Sequence, residues 1–134
     1  MTVLGTTMNN PAKAYSNVHL EGRVADATPH RLVQMLYEGA LERIAQAKGA
    51  MQQKQYARKG ELISKAVSII GGLQGSLVEA GDGELTANLD NLYDYMIRRL
   101  MQANLKNDEN MLDEVATLIG EIKGAWDAIG AEVK

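Results

Sequence analysis

Residues 88–104, NLDNLYDYMIRRLMQAN, decide how this chain folds. At 100° per residue, and counting Leu85 one turn earlier, the apolar positions Leu85, Leu89, Leu92, Tyr93, Met96, Ile97, Leu100 and Met101 cover an arc of about 180°. A helix docked on a single core needs a stripe of only about 100°. The spacing therefore predicts a helix with more apolar surface than one neighbour covers. Within the arc, Leu85, Leu89 and Leu92 are expected to serve the core, and Tyr93, Ile97 and Met101 to face a partner. Asn88, Tyr95, Arg99 and Gln102 line one margin with groups that donate, accept or stack, suited either to bracing the fold or to gripping that partner. Adjacent Tyr93 and Tyr95 point about 100° apart, so at least one of them is expected to leave the core.

The segments on either side repeat the helical period. Thr28-Pro29 reads as an N-cap followed by a proline whose missing amide costs nothing at the first helical position. From there Leu32, Val33, Leu36, Tyr37, Ala40, Leu41, Ile44, Ala47 and Met51 recur at threes and fours until the polar run Gln52–Gln55. A second helix is expected from about Tyr56, with Leu62, Ile63, Ala66, Val67, Ile69, Ile70, Leu73, Leu77 and Val78 on its stripe and a stop at Gly81-Asp82-Gly83. The third runs from about Glu84 to Leu105. Asn107 or Asp108 caps a fourth, whose buried face is Met111, Leu112, Val115, Leu118, Ile119, Ile122, Trp126 and Ile129. Four helices with short connections predict an all-α fold, an antiparallel up-down-up-down four-helix bundle over residues 28–134. Residues 1–27 lack a sustained stripe and read as a mobile tail, within which Met8, Ala12, Tyr15 and Val18 could line one face of a short helix resting on the bundle. Interior glycines at 39, 71, 72, 75, 120 and 124 each cost about 1 kcal/mol against alanine, a cost accepted either for close helix approach or for adaptability.

Composition removes most chemistry. With 14 basic against 17 acidic residues and a net charge of −3, no nucleic-acid groove is expected. The absence of cysteine excludes disulfides, thiolate zinc sites and cysteine nucleophiles. No apolar run predicts membrane insertion, and the N-terminus has no secretory pattern, so a cytoplasmic protein is expected. The Glu-x-x-His pairs of di-iron bundles are missing, His19 and His30 sit in the tail and in a first helical turn, and Glu38 with Glu42 beside Arg43 reads as a solvated face. Gly81-Asp82-Gly83-Glu84 lacks the Lys-Ser/Thr continuation of a phosphate loop. Neither an enzyme activity nor a cofactor is expected. Seven methionines replace the missing phenylalanines: Met51, Met96 and Met111 fit core filling, and Met101 fits an adaptable partner surface.

Further residues carry a family resemblance: Lys13-Ala14-Tyr15 with Val18, Thr28-Pro29-His30-Arg31-Leu32, Met35-Leu36-Tyr37-Glu38-Gly39-Ala40, Lys59-Gly60, Ser64-Lys65-Ala66 and Ile69-Ile70. Asn88-Leu89, the run from Leu92 to Leu100, Ala103-Asn104, Asn107-Asp108 and Ala125-Trp126 complete it. From Lys13 to Trp126 the chain resembles the FliS family of flagellin-specific export chaperones. The resemblance implies a cytoplasmic helical bundle that binds the C-terminal segment of unassembled flagellin as helices along apolar grooves, prevents premature polymerisation, and hands the subunit to the flagellar type III export gate. It also implies that the tail around Tyr15 folds back and is displaced by the client, with a weaker hold because Ala12 stands where relatives carry a larger aliphatic residue. The site residues it suggests are Tyr15 and Val18 as the tail contact, and Leu32, Val33, Tyr37, Leu62, Ile69, Tyr93, Met96, Ile97 and Met101 as groove lining. The alternatives are a structural bundle that self-associates through its apolar arc, and an adaptor for another flagellar protein such as the anti-sigma factor that some relatives bind.

Overall fold

The computed structural model describes residues 27–80 and 83–132. Four helices fill them: α1 Pro29–Gln52, α2 Tyr56–Ala80, α3 Glu84–Lys106 and α4 Glu109–Glu132. Each boundary has a local cause. The Thr28 hydroxyl accepts the Arg31 amide at 3.1 Å, and Pro29 occupies the first helical position, so α1 starts where its first amides are otherwise unpaired. Its end is a Schellman turn. The Gln55 amide reaches back to the Ala50 carbonyl at 2.8 Å and the Lys54 amide to Met51 at 3.1 Å, with Lys54 in the left-handed region at φ 60°. α3 ends on left-handed Asn107, φ 53°, and the next residue opens α4: the Asp108 carboxylate accepts the amides of Asn110 and Met111. Of the two caps the sequence offered, Asp108 is the one used.

Turns this short oblige consecutive helices to run antiparallel, and side-chain pairs fix the register. Lys59 near the start of α2 meets Asn104 and Asn107 at the end of α3, while Gln74 meets Asp90 and Asp94. α1 and α4 pair the same way, Lys48 with Asp113 at one end and His30 with Trp126 at the other. α1 packs on α2 and α4, and α3 packs on the same two, so the helices close a ring with α1 diagonal to α3. The core at its centre is one cluster, in which Leu36, Ala40, Ile44, Ala47, Ala66, Ile70, Leu73, Met96, Leu100, Ala103, Leu112, Val115 and Ile119 are buried. Each of the large aliphatic side chains contributes about 1.5–3 kcal/mol by leaving water.

Two core expectations change here: Ile129, placed by its period on the buried face of α4, is 47 % exposed in the last turns of that helix, and Leu85 leaves the core as well. Leu85 is 72 % exposed, because it sits in the first turn of α3, beyond the axial reach of the cluster, although its azimuth matches that of Met96. Of the two causes left open for the interior glycines, close approach does not apply at four of them. A Cβ on Gly71, Gly75, Gly120 or Gly124 would meet nothing within 4 Å, so no close approach among the described residues requires them. A close approach does require Gly130, buried on α4, where a Cβ would stand 2.1 Å from His30 Cε1. The readings placed on the tail, including Tyr15, Val18 and His19, and on Gly81-Asp82, lie outside the described residues.

Candidate functional site

The α3 helix carries the site because it presents a buried inner strip, polar ties to both neighbours and an outward apolar row. The strip toward the ring centre holds Tyr93, Met96, Leu100 and Ala103, all buried. Tyr93 is held there by chemistry as well as by packing: its hydroxyl lies 2.7 Å from the hydroxyl of Tyr37 across the diagonal, so each phenol gives the other the partner that burial would deny it. Burial pushes both phenols above their ordinary range.

One margin faces α4. There the Tyr95 hydroxyl donates to Glu114 Oε2, Arg99 reaches the other oxygen of the same carboxylate through Nε at 2.9 Å and Nη2 at 2.8 Å, and the guanidinium lies 5.8 Å from the centre of the Tyr95 ring. Gln102 accepts from Arg99 at 3.3 Å. The hydrogen bond from Tyr95, then that from Arg99, hold the Glu114 carboxyl below its ordinary range. Three of the four residues that could have braced or gripped therefore brace. Asn88 stands exposed.

The opposite margin faces α2 and is also tied by polar groups. Gln74 Nε2 donates to Asp90 Oδ1 at 3.0 Å and to Asp94 Oδ1 at 2.9 Å. Lys59, 5 % exposed, donates to the Asn104 carbonyl at 2.8 Å and to the Asn107 side chain, with the Tyr56 ring 5.2 Å from its ammonium. That places a cation on one of the last four carbonyls of α3, where the helix dipole favours it.

Beyond Asp94 the same α2 side of the helix continues as an apolar row: Ile97, Met101 and Leu105, spaced four apart on one face. Ile97 is half-buried against the core, Met101 is 61 % exposed and Leu105 is 81 % exposed. These two, with Leu85, Tyr56 and Ile129, are the large exposed apolar side chains among the described residues. The helix thus keeps its inner face for the bundle and presents an aliphatic ridge outward, fixed at both edges.

Against this geometry the groove residues suggested by the sequence separate. Tyr37, Leu62, Ile69, Tyr93 and Met96 belong to the core cluster, each no more than 6 % exposed. Tyr93 in particular faces Tyr37 and not the surface. Leu32 and Val33 are half-buried on α1, across the ring from α3, and do not join the ridge. Ile97 and Met101 are brought together. Leu105 and the Lys59 cap were not anticipated; the four-residue repeat from Ile97 could have pointed to Leu105, whereas nothing in the order of residues signals that Lys59 would be buried.

No group of three or more His, Cys, Asp or Glu among the described residues could hold a metal ion. Among the same residues no helix is long and apolar enough to cross a membrane.

Comparison with known proteins bears on the whole bundle. Residues 10–133 match the sequence model of a family described as "Flagellar protein FliS". The chain is 54 % identical over 117 residues to the flagellar secretion chaperone FliSB of Pseudomonas aeruginosa, covering 87 % of this chain and 93 % of that one. It is 46 % identical over 125 residues to the flagellar secretion chaperone FliS of Vibrio cholerae, covering 93 % and 92 %. The FliS of Salmonella typhimurium shares 45 % over 118 residues, covering 87 % of each chain.

Proposed function

Because the chain belongs to the FliS family, which is a family of flagellar secretion chaperones and not of enzymes, we propose that it binds the C-terminal segment of unassembled flagellin and delivers it to the flagellar type III export apparatus. The client is held as amphipathic helices laid on apolar surface, which keeps the segment from pairing with other flagellin copies, and the work is done in the cytoplasm before export. The family membership carries this reading. The outward aliphatic ridge Ile97-Met101-Leu105 supports it, since a ridge spaced at four residues offers a partner helix the i, i+4 contacts that helix-in-groove binding uses. The polar ties on both margins support it too, because a helix held at its edges loses little freedom when a client docks. Binding is stoichiometric and uses no cofactor. The contact around Tyr15 and Val18, displaced by the incoming client, belongs to the same proposal.

The test is a calorimetric titration of the full chain with a flagellin C-terminal peptide, using wild type, Ile97→Asp and Met101→Asp. A carboxylate forced against apolar client surface is expected to weaken binding by tenfold or more, about 1.4 kcal/mol or above. Equal affinity in all three proteins would take α3 out of the site, and absence of binding by wild type would overturn the client assignment itself.

A further inference from the structure

The chain contains no cysteine, so all of its sulfur is methionine thioether. Among the described residues that sulfur is distributed unequally. Met35, Met51 and Met96 are 2 %, 6 % and 0 % exposed and Met111 is half-buried, whereas Met101 stands 61 % in solvent at the middle of the aliphatic ridge, one turn from Ile97 and one from Leu105. We propose that Met101 is a reversible oxidation site through which peroxide switches off the client face. The idea rests on the function proposed above and adds its regulation.

The reaction needs only a hydroperoxide. A thioether lone pair of Met101 attacks one peroxide oxygen, the O–O bond breaks and an S–O bond forms. The hydroxide released takes the proton left on the transferred oxygen and leaves as water. Sulfur gives up two electrons, the peroxide gains two, and the product is methionine sulfoxide, which a methionine sulfoxide reductase returns to the thioether. Access of the peroxide to sulfur sets the order of attack, and exposure puts Met101 first among the described methionines. The consequence follows from position. A flexible apolar side chain between Ile97 and Leu105 becomes a strong hydrogen-bond acceptor, and a docking apolar helix would bury that oxygen without a donor. The carboxylates of Asp90 and Asp94 on the same side of α3 accept and cannot pair with that oxygen, while the Gln74 amide is engaged with them and the Arg99 guanidinium with Glu114. Oxidation therefore leaves the bundle folded and lowers affinity for the client.

The experiment treats the full chain with hydrogen peroxide, follows each of the seven methionines by peptide mass mapping, and titrates a flagellin C-terminal peptide before oxidation, after it, and after reductase treatment. Met101 is expected to oxidise ahead of the other described methionines, with peptide affinity falling about tenfold in step and returning on reduction. Met101→Leu keeps every other sulfur and is compared with itself: its affinity after peroxide stays within twofold of its own starting value. Preferential oxidation of Met111 or a core methionine, or an equal peroxide-induced loss in Met101→Leu, would overturn the proposal. If the unoxidised wild type does not bind the peptide, the client face fails and the switch fails with it. If it binds and is indifferent to Met101 oxidation, the switch alone fails.

Discussion

Replacing glycine by alanine at two positions of the same helix should have opposite effects on stability. At Gly120 an added Cβ meets open space, so Gly120→Ala gains only the helix propensity difference and stabilises by up to about 1 kcal/mol. At Gly130 the Cβ would stand 2.1 Å from His30 Cε1, 2.6 Å from Nε2 and 2.7 Å from Nδ1, so the imidazole must leave. That ring is stacked on Trp126 at 4.7 Å between centroids and 6° between planes, and its Nε2 donates to the Trp126 carbonyl at 2.6 Å. Losing the stack costs about 0.5–1.5 kcal/mol, and losing the hydrogen bond costs about 0.5–1.5 kcal/mol. Against a propensity gain of up to about 1 kcal/mol, Gly130→Ala should be destabilising by about 0–3 kcal/mol. Removing the obstacle reverses the sign: in a His30→Ala background, Gly130→Ala should stabilise as Gly120→Ala does. Urea unfolding followed by circular dichroism measures the wild type and the four variants, and the single tryptophan reports the clasp directly through its emission. If Gly130→Ala raised the midpoint as much as Gly120→Ala with His30 in place, the reasoning would be refuted.

Three further outcomes can be checked on the same protein. Lys54 holds φ 60° in the α1–α2 turn, so Lys54→Gly should raise stability by about 0.5–1 kcal/mol in urea unfolding, the relief of left-handed strain exceeding the added chain entropy. Tyr37→Phe or Tyr93→Phe strands one buried hydroxyl and should cost about 1–3 kcal/mol, while the double change should cost less than the sum, a coupling read from a double-mutant cycle. Glu114 has a folded-state pKa below its ordinary 4.5, so its share of stability is complete above that value and is lost as pH falls through the lower one. Glu114→Gln should accordingly flatten the acid limb of the stability profile below pH 4.5 and leave its neutral-pH shape unchanged.

The helices were legible in the sequence because their ends carry side-chain chemistry that acts locally: Thr28 before Pro29, Asp108 before Glu109, and the left-handed-tolerant Asn107. Core positions followed from period alone. What period could not decide was which edge of a broad apolar arc turns outward, and Tyr93 shows why. Its azimuth on α3 fits either side, and the choice was made by a hydroxyl 56 residues away on Tyr37, a pairing no local pattern encodes. Leu85 illustrates the other limit, since its angle is right for the core and only its height along the helix excludes it. Lys59 reads as a solvated lysine until α3 brings an unpaired carbonyl to it. The margin of Tyr95, Arg99 and Gln102 stayed open for the same reason: its partner, Glu114, belongs to the next helix.

The claim that α3 keeps one face for the bundle and another for a client is tested most directly by methyl-labelled methionine NMR of the full chain during titration with a flagellin C-terminal peptide. The account predicts that the Met101 methyl resonance moves and saturates with the peptide, while those of Met35 and Met96, closed in the core, hold their positions. A saturating shift of Met96 with Met101 unmoved would contradict it.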